Sequence, residues 1–148
     1  MDNSRHIAII GGGFIGLEMA ENLHKLGINI TLIEAQNQVM PPVDFDMAQL
    51  LHQNMNVNDV ELILSDAVKA FEKKENGISI TLASGKKVSV DIVILSIGVK
   101  PNSELARAAG IQLNERGGIK VNSRLQTSAP SVWAVGDVIE VTNLVTNN

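Results

Sequence analysis

The sequence Ile-Ala-Ile-Ile-Gly-Gly-Gly-Phe-Ile-Gly, at residues 7–16, decides the fold. Its first four residues form an uninterrupted apolar run, which is typical of a parallel strand covered on both faces. Three glycines follow, and a helical pattern of apolar residues begins at Phe14 and ends before Gly27. A second apolar strand at residues 29–34 comes directly afterwards. Strand, helix and strand in this order predict a βαβ unit and the start of a parallel sheet.

The rest of the chain predicts an α/β fold with a Rossmann-like parallel sheet and an antiparallel insertion. Residues 67–90 alternate like strands, and Asn76-Gly77 within them is a strong hairpin signal. This segment predicts a three-stranded antiparallel meander in the place where a plain Rossmann fold has a helix. The mostly apolar residues 91–97 predict a further parallel strand, and the apolar run at residues 132–135 predicts a last buried strand.

Two helices are expected to bury an apolar stripe. The stripe predicted for the first helix consists of Ile15, Met19, Leu23 and Leu26, and Leu17 and Ala20 widen it. The second helix is expected to begin after Asp44, which could cap it. Its predicted stripe consists of Met47, Leu50, Leu51 and Met55.

Composition indicates one globular domain. The chain has 148 residues, of which 45% are apolar and 19% charged. We expect residues 1–6 to be a polar lead-in and residues 7–148 to form one domain, because no repeat or linker interrupts them. Cysteine is absent, which excludes disulfides, cysteine-ligated zinc and thiol redox chemistry within this chain. A cytoplasmic location is the simplest expectation.

Charge and residue counts exclude several classes of function. The net charge of −4 argues against a nucleic-acid partner, and 3% aromatic residues leave no platform for stacked bases. The apolar stretches are too short to span a membrane. Tyrosine is absent, which excludes short-chain dehydrogenase chemistry. His6, His24 and His52 have no partner at metal-ligand spacing, so we predict no metal site and expect them on the surface or on a helix face.

Gly11, Gly13 and Gly16 fit the pattern G-x-G-x-x-G between a strand and a helix, the context in which it binds a dinucleotide. The first glycine permits a tight turn, the second lets a pyrophosphate approach, and the third lets the helix pack close to the sheet. The free N–H groups and positive dipole end of the helix then face the phosphates. A glycine-rich turn without a ligand is the alternative.

Glu34 ends the second predicted strand, eighteen residues after Gly16. A carboxylate there would accept both hydroxyls of an adenosine ribose and would repel a 2′-phosphate. Residues 35–42 contain no Arg or Lys to bind such a phosphate. The sequence therefore predicts NAD as the cofactor, with NADH preferred over NADPH. A solvated carboxylate at a strand end is the alternative.

Three segments resemble signatures of the flavin-dependent pyridine nucleotide-disulfide oxidoreductases. They are Gly-Gly-Gly-Phe-Ile-Gly-Leu-Glu-Met-Ala-Glu (11–21), Ile-Leu-Ser-Ile-Gly-Val-Lys-Pro-Asn (94–102) and Thr-Ser-Ala-Pro-Ser-Val-Trp-Ala-Val-Gly-Asp (127–137). The similarity is closest to the branch of coenzyme A-disulfide reductases, NADH oxidases and NADH peroxidases, and it covers the chain from Ile7 onward. Family members carry an FAD-binding domain with the redox cysteine, an inserted NAD-binding domain and a dimerisation domain.

The resemblance implies that this chain is the NAD-binding domain of a larger flavoenzyme. The glycine loop would hold the pyrophosphate, Glu34 the ribose, and Ile15 and Gly98 the nicotinamide side. Glu18 would lie near the nicotinamide and the flavin, and Asp137 matches an aspartate that binds the ribityl chain of FAD. The cofactor-binding residues implied are thus Gly11, Gly13, Phe14, Ile15, Gly16, Glu18, Glu34, Gly98 and Asp137. Sequence pattern alone also allows Glu18 as an ordinary helix residue and Gly98 as a turn.

The expected function is to present the nicotinamide of NAD(H) for hydride transfer to FAD, which is bound by the parent enzyme. The partners implied are the FAD-binding and dimerisation domains of that parent. The fragment contains no catalytic residue of its own and is expected to be inactive alone. A free-standing dinucleotide-sensing or regulatory module is the alternative. A primary FAD site at the glycine loop is disfavoured, because only about 120 residues separate Gly16 from the later Gly-Asp motif.

Overall fold

The structure is a computed structural model, which describes residues 5–141. The chain divides into two compact units, Met1–Gly98 and Val99–Asn148. The first four residues of the predicted polar lead-in lie outside the described residues, and its last residue, His6, already belongs to the first strand.

The first unit contains seven strands and two helices within residues 5–98. In chain order they are β1 (His6–Ile10), α1 (Phe14–Lys25), β2 (Asn29–Ile33), α2 (Phe45–Val57), β3 (Glu61–Ile63), β4 (Val68–Lys74), β5 (Gly77–Leu82), β6 (Lys87–Val90) and β7 (Ile92–Leu95). Four of the strands form a sheet in the order β3-β2-β1-β7, in which all neighbours are parallel. The predicted Rossmann-like parallel sheet is confirmed.

The uninterrupted apolar run of β1 is explained by cover on both faces of the sheet. Ile7 and Ile9 belong to a core cluster with residues of α1 and α2. Ala8 and Ile10 point to the opposite face and join a second core cluster with β5 and β6. Because successive strand residues alternate between the two faces, both sets must be apolar.

The predicted antiparallel meander is confirmed as the strands β4, β5 and β6. Ile80 and Leu82 of β5 are fully buried against the parallel sheet. The turn between β4 and β5 falls at residues 75–76, as the Asn76-Gly77 pair predicts. The meander therefore takes the place of a helix on one face of the sheet.

A chain of polar side chains ties the parallel strands to the meander. The Thr31 hydroxyl is buried and donates to Oε2 of Glu61 at 2.7 Å. Because that proton is used, Thr31 Oγ1 accepts from Nε2 of His6 at 2.8 Å. Lys86, before β6, donates to the other Glu61 oxygen at 3.1 Å. The Thr31 hydrogen bond lowers the pKa of Glu61, with burial opposing it and Lys86 and His6 adding to it.

The apolar stripe predicted for α2 is wrong in most of its members. Met47 and Leu50 are 58% and 59% exposed, and of the predicted four only Met55 is buried. The buried face instead carries Ala48, His52 and Met55, which also have helical spacing. Hydropathy favoured the methionine and leucine side of the helix, whereas the sheet is contacted by the neighbouring face.

Asp44 occupies the N-cap position of α2, as predicted, but its side chain makes no capping hydrogen bond. In α1 the two ends of the predicted stripe are exposed, Ile15 at 53% and Leu26 at 75%. Its middle residues, Met19 and Leu23, pack against the core. Ala20 is buried, and Leu17 is partly buried against the same core, so the predicted stripe is covered in its middle and exposed at its two ends.

The second unit is described over residues 99–141 and contains little regular structure. A short helix, α3 (Glu104–Ala108), has Ser103 at its N-cap position without a side-chain capping hydrogen bond, and a single 3₁₀ turn covers Gly136–Val138. The buried strand predicted at residues 132–135 is wrong. This stretch turns back on residues 125–127, and Trp133 forms one isolated bridge and is 56% exposed. A local turn of this kind pairs backbone groups without placing side chains in a sheet interior.

Candidate functional site

Gly11 makes the turn from β1 into the glycine loop. Its φ is +107°, and a Cβ there would lie 2.5 Å from the carbonyl oxygen of Ser96. Its N–H donates to the carbonyl of Ile33, at the end of β2, at 2.8 Å. Both the backbone conformation and the close approach therefore require glycine at this position.

Gly16 lies where α1 passes closest to β1. A Cβ there would overlap the carbonyl oxygen of Gly11 and would lie 2.8 Å from Oγ of Ser96. The Ser96 hydroxyl lies 3.0 Å from the carbonyl of Ile10 and 2.9 Å from that of Gly11, its two acceptors. Ser96 was not anticipated from the sequence. It reaches the loop because β7 pairs with β1 in a register that sets Leu95 beside Ile10.

Gly13 is the N-cap of α1, and nothing lies within 4 Å of the position of a Cβ there. The first hydrogen bond of the helix runs from Leu17 N–H to the Gly13 carbonyl at 3.0 Å. The N–H groups of Phe14, Ile15 and Gly16 precede that bond and have no intrahelical acceptor. The first turn contains no acidic residue. This end of α1 can therefore receive an anion.

Glu34 follows β2 directly and is only 9% exposed. Its Oε2 accepts a 2.6 Å hydrogen bond from the N–H of Gly12, and its Oε1 accepts one of 2.8 Å from the N–H of Gln36. Glu34 is thus a buried, bonded carboxylate and not a solvated one. Each oxygen retains a second lone pair, so the carboxylate can still accept two hydroxyl groups.

Residues 38–43 form a segment, here called the 38–43 segment, that packs on the glycine loop. The N–H of Met40 donates to the Gly12 carbonyl at 2.8 Å. A Cβ on Gly12 would lie 3.0 Å from Cγ1 of Val39, so the contact is tight. The amide of Gln38 braces the segment from inside by donating to the Val43 carbonyl at 2.8 Å. These contacts could not be predicted from the G-x-G-x-x-G motif. They involve Gly12, a variable position of the motif, and residues that lie outside the motif.

His52 is on a helix face, as expected, but it is buried rather than open to solvent. Its Nε2 accepts a 3.1 Å hydrogen bond from the N–H of Val39. Burial lowers the pKa of the imidazole, which favours the neutral ring that can accept this bond. His52 therefore connects α2 with the 38–43 segment.

The remaining predicted site residues of the first unit are Phe14, Ile15, Glu18 and Gly98. Glu18 is exposed on α1, one turn beyond Phe14, and Phe14 and Ile15 are themselves exposed. Gly98 has a φ of +111° and follows β7, at the sheet edge where β1 leads into the glycine loop. Asp137 lies in the 3₁₀ turn of the second unit and is exposed. The structure thus brings the three motif glycines, Phe14, Ile15 and Glu34 together in the first unit.

Residues 5–141 contain neither a metal-binding cluster nor a membrane-spanning helix. No group of three or more His, Asp and Glu side chains there is placed to hold a metal ion. No helix in that range combines the length and the apolar character that a bilayer crossing requires.

The family model described as pyridine nucleotide-disulphide oxidoreductase matches residues 1–148. An NADH oxidase of Methanocaldococcus jannaschii is 36% identical over 143 residues, which are 96% of this chain and 32% of that protein. The structure of reduced Bacillus anthracis CoADR-RHD is 50% identical with a TM-score of 0.90, covering 97% of this chain and 26% of that one. An FAD-dependent pyridine nucleotide-disulphide oxidoreductase from Desulfovibrio vulgaris is 37% identical with a TM-score of 0.91, covering 99% and 37%. The chain thus spans between about a quarter and somewhat more than a third of the length of these proteins.

Proposed function

Because the chain belongs to the pyridine nucleotide-disulphide oxidoreductase family, a family of flavoprotein oxidoreductases, we propose that it is the part of such an enzyme that binds NAD(H). In the parent enzyme it would present the nicotinamide to FAD. The observation that carries the proposal is the pairing of an open helix N-terminus at Gly13 with a buried carboxylate at Glu34. The first suits the pyrophosphate and the second the adenosine ribose.

The pyrophosphate end is supported by space and charge. The open position at Gly13 leaves room for phosphate oxygens against the backbone, and the N–H groups of residues 14–16 are free to donate. The positive end of the α1 dipole favours an anion there. Gly11 and Gly16 keep the loop in the compact form that aims these groups outward.

The ribose end supports NADH over NADPH. Two lone pairs of the Glu34 carboxylate are used by the N–H groups of Gly12 and Gln36, and two remain for the 2′ and 3′ hydroxyls. A 2′-phosphate would place a second negative charge against a carboxylate that is 9% exposed, where water screens the repulsion poorly. This preference is part of the proposal.

The residues of this chain fit a binding role and leave the redox chemistry to the cofactors. When bound, the nicotinamide would supply the hydride that the flavin accepts. Ile15 and Gly98 would border the nicotinamide, and the exposed Glu18 carboxylate would face the reacting end. The chain has no cysteine or tyrosine to act on a substrate. Its own work would be to hold and orient the dinucleotide.

The FAD-binding domain of the parent is the partner proposed for the second unit. The exposed Asp137, which follows Gly136 in a 3₁₀ turn, would bind the ribityl chain of FAD once that domain supplies the rest of the site. The dimerisation domain is the other proposed partner. The cytoplasmic location expected from the sequence remains part of this proposal.

A regulatory module without catalysis is the weaker alternative. Two of the relatives, the NADH oxidase and the FAD-dependent oxidoreductase, have names that state redox activity, and the match covers 32% and 37% of their length. A fragment of an enzyme accounts for that similarity directly.

Calorimetric titration of the 148-residue chain tests the proposal. We expect saturable heat with NADH at millimolar concentration, weaker binding of NADPH and none of free FAD. The matched control is Gly13→Ala, whose methyl group would occupy the space proposed for the pyrophosphate and should abolish the NADH signal. No heat with NADH would overturn the proposal. A yellow purified protein would indicate bound flavin and would assign FAD, rather than NAD(H), to the glycine loop.

A further inference from the structure

His52 makes a buried hydrogen bond that no cofactor motif accounts for. Its Nε2 accepts from the N–H of Val39 at 3.1 Å, and Val39 itself is fully buried. A neutral imidazole that accepts at Nε2 carries its proton on Nδ1. Among the residues described, this is the hydrogen bond that links α2 to the 38–43 segment.

The 38–43 segment connects the hydrogen bond of His52 with the glycine loop. Met40, the residue after Val39, donates its N–H to the Gly12 carbonyl at 2.8 Å. The N–H of the same Gly12 donates to Oε2 of Glu34 at 2.6 Å. Both backbone polar groups of Gly12 are thus hydrogen-bonded. Its carbonyl bonds to Met40, and its N–H bonds to the Glu34 carboxylate that is proposed to bind the ribose.

The backbone of the segment needs such an anchor. Met40 has a φ of +50°, a left-handed conformation that side chains with a Cβ rarely adopt. Strained backbone of this kind persists only where its surroundings overdetermine it. The surroundings here are the Gly12 carbonyl, the brace from Gln38 and the His52 ring.

We propose that His52 is a positioning residue for the adenosine end of the dinucleotide: its ring holds Val39 and Met40 against Gly12 and so fixes where Glu34 presents its carboxylate. This inference rests on the proposed function, which it extends from the residues of the motif to a residue on α2. His52 does not touch the cofactor in this proposal. It acts through the backbone of the 38–43 segment.

Two amide side chains and a leucine separate this role from simple packing. The Oε1 of a glutamine reaches the place of the histidine Nε2, whereas the oxygen of an asparagine reaches only as far as Nδ1. His52→Gln should therefore keep an acceptor for the Val39 N–H, and His52→Asn should leave that N–H buried without one. Asparagine is also one methylene smaller than glutamine, so lost packing at this buried site would order the two variants in the same way. His52→Leu fills the space without offering an acceptor, and it should behave as His52→Asn does if the hydrogen bond to Val39 is what matters.

The first measurement is calorimetric titration of the 148-residue chain and its variants with NADH and with NADPH. We expect His52→Asn to weaken NADH binding about tenfold and to reduce the preference for NADH over NADPH, because the Glu34 carboxylate loses its fixed position. His52→Gln should stay within about twofold of the unsubstituted chain. His24→Asn, the same change on α1, is the control and should leave both affinities unchanged.

The second measurement is amide hydrogen exchange, which needs no nucleotide. We expect the amides of Val39, Met40 and Gly12 to exchange faster in His52→Asn, while that of Ile80 in the meander core stays protected. Equal exchange in the asparagine and glutamine variants would overturn the inference. If His52→Asn does not fold, the glutamine variant decides: affinity within twofold supports the inference, and a tenfold loss overturns it.

The outcomes separate this inference from the proposed function. No NADH heat with the unsubstituted chain would overturn the proposed function and this inference with it. Normal NADH binding by the unsubstituted chain, with unchanged affinity and unchanged nucleotide preference in His52→Asn, would overturn only the role of His52.

Discussion

The N–H of Gly12 donates a 2.6 Å hydrogen bond to Oε2 of Glu34, across 22 residues of sequence. This bond joins the glycine loop to the end of β2. The carboxylate proposed to select the nucleotide is therefore also part of the loop that would bind the pyrophosphate. A substitution of Glu34 must be designed so that the two effects can be separated.

Glu34→Gln removes the charge and keeps one oxygen, which can accept from the N–H of Gly12 or from that of Gln36 but not from both in their present positions. We expect NADH binding to weaken about tenfold, because neutral acceptors bind hydroxyl groups less strongly than charged ones. NADPH binding should change less, since the repulsion of its 2′-phosphate is gone. Calorimetric affinities for both nucleotides measure the change. Glu75→Gln, in the exposed turn of the meander, is the control for charge, and an unchanged NADH/NADPH ratio in Glu34→Gln would contradict a role in reading the ribose.

Gly16→Ala and Gly13→Ala should separate folding from binding. At Gly16 the new methyl group overlaps the Gly11 carbonyl oxygen, so we expect a loss of about 1–3 kcal/mol in the free energy of unfolding. At Gly13 the space is open and φ is −76°, so alanine gains unfolded-state entropy but is a poorer N-cap residue than glycine. The free energy of unfolding should therefore change by less than about 1 kcal/mol, while NADH binding is lost.

Urea unfolding and calorimetry together measure these two effects. Ser96→Ala should not rescue Gly16→Ala, because the Gly11 carbonyl remains in the way. Full NADH affinity in Gly13→Ala would show that the phosphates do not approach the loop there.

Ile80→Ala tests whether the meander is a structural layer of the first unit. Ile80 is fully buried between the meander and the parallel sheet, so its truncation should cost about 2–5 kcal/mol in urea unfolding. Its cross-strand neighbour Phe71 is 48% exposed, and Phe71→Ala should cost clearly less. Equal losses at the two positions would mean that the meander does not cover the sheet as described.

Glu61 should make stability depend on acid pH. The Thr31 hydrogen bond lowers its pKa in the folded state below the ordinary value of 4.5. A lowered carboxyl pKa stabilises the fold above the unfolded value, and that stability is lost as the pH falls through the folded value. Glu61→Gln should therefore be less stable than the unsubstituted chain at pH 7, with a difference that shrinks below about pH 4.5.

Urea unfolding at several pH values between 3 and 7 measures this difference, with Glu75→Gln in the exposed turn as the control. Thr31→Val removes the main cause of the lowered pKa and should flatten the same pH dependence. If the difference in the free energy of unfolding between Glu61→Gln and the unsubstituted chain does not vary with pH, the proposed contribution of Glu61 is contradicted.

Local signals in the sequence were sufficient for most of the first unit. The apolar run of β1, the glycines before α1 and the Asn76-Gly77 turn each act within a few residues, so they predict the βαβ unit and the meander without knowledge of the whole fold. The buried face of α2 could not be obtained in this way. Two faces of that helix have helical spacing, and only the position of the sheet decides which of them is covered.

The candidate site divides along the same line. The three motif glycines and Glu34 were found because their spacing is characteristic, whereas Ser96 and His52 contact the loop or its support only through tertiary structure. The prediction of a buried strand at residues 132–135 was wrong for a related reason. Their apolar character indicates a tendency to be covered, but it does not identify what would cover them.

Ser96 is 85 residues away from Gly11, the loop residue whose carbonyl it contacts. β7 must therefore be synthesised and paired with β1 before the turn at Gly11 has its final neighbour. Closing so long a stretch of chain costs more entropy than forming the local βαβ unit, so this pairing should be among the later steps of folding. On a translating ribosome, β1 and the glycine loop would emerge early. The loop could not form its contact with Ser96 until residue 96 had also been synthesised.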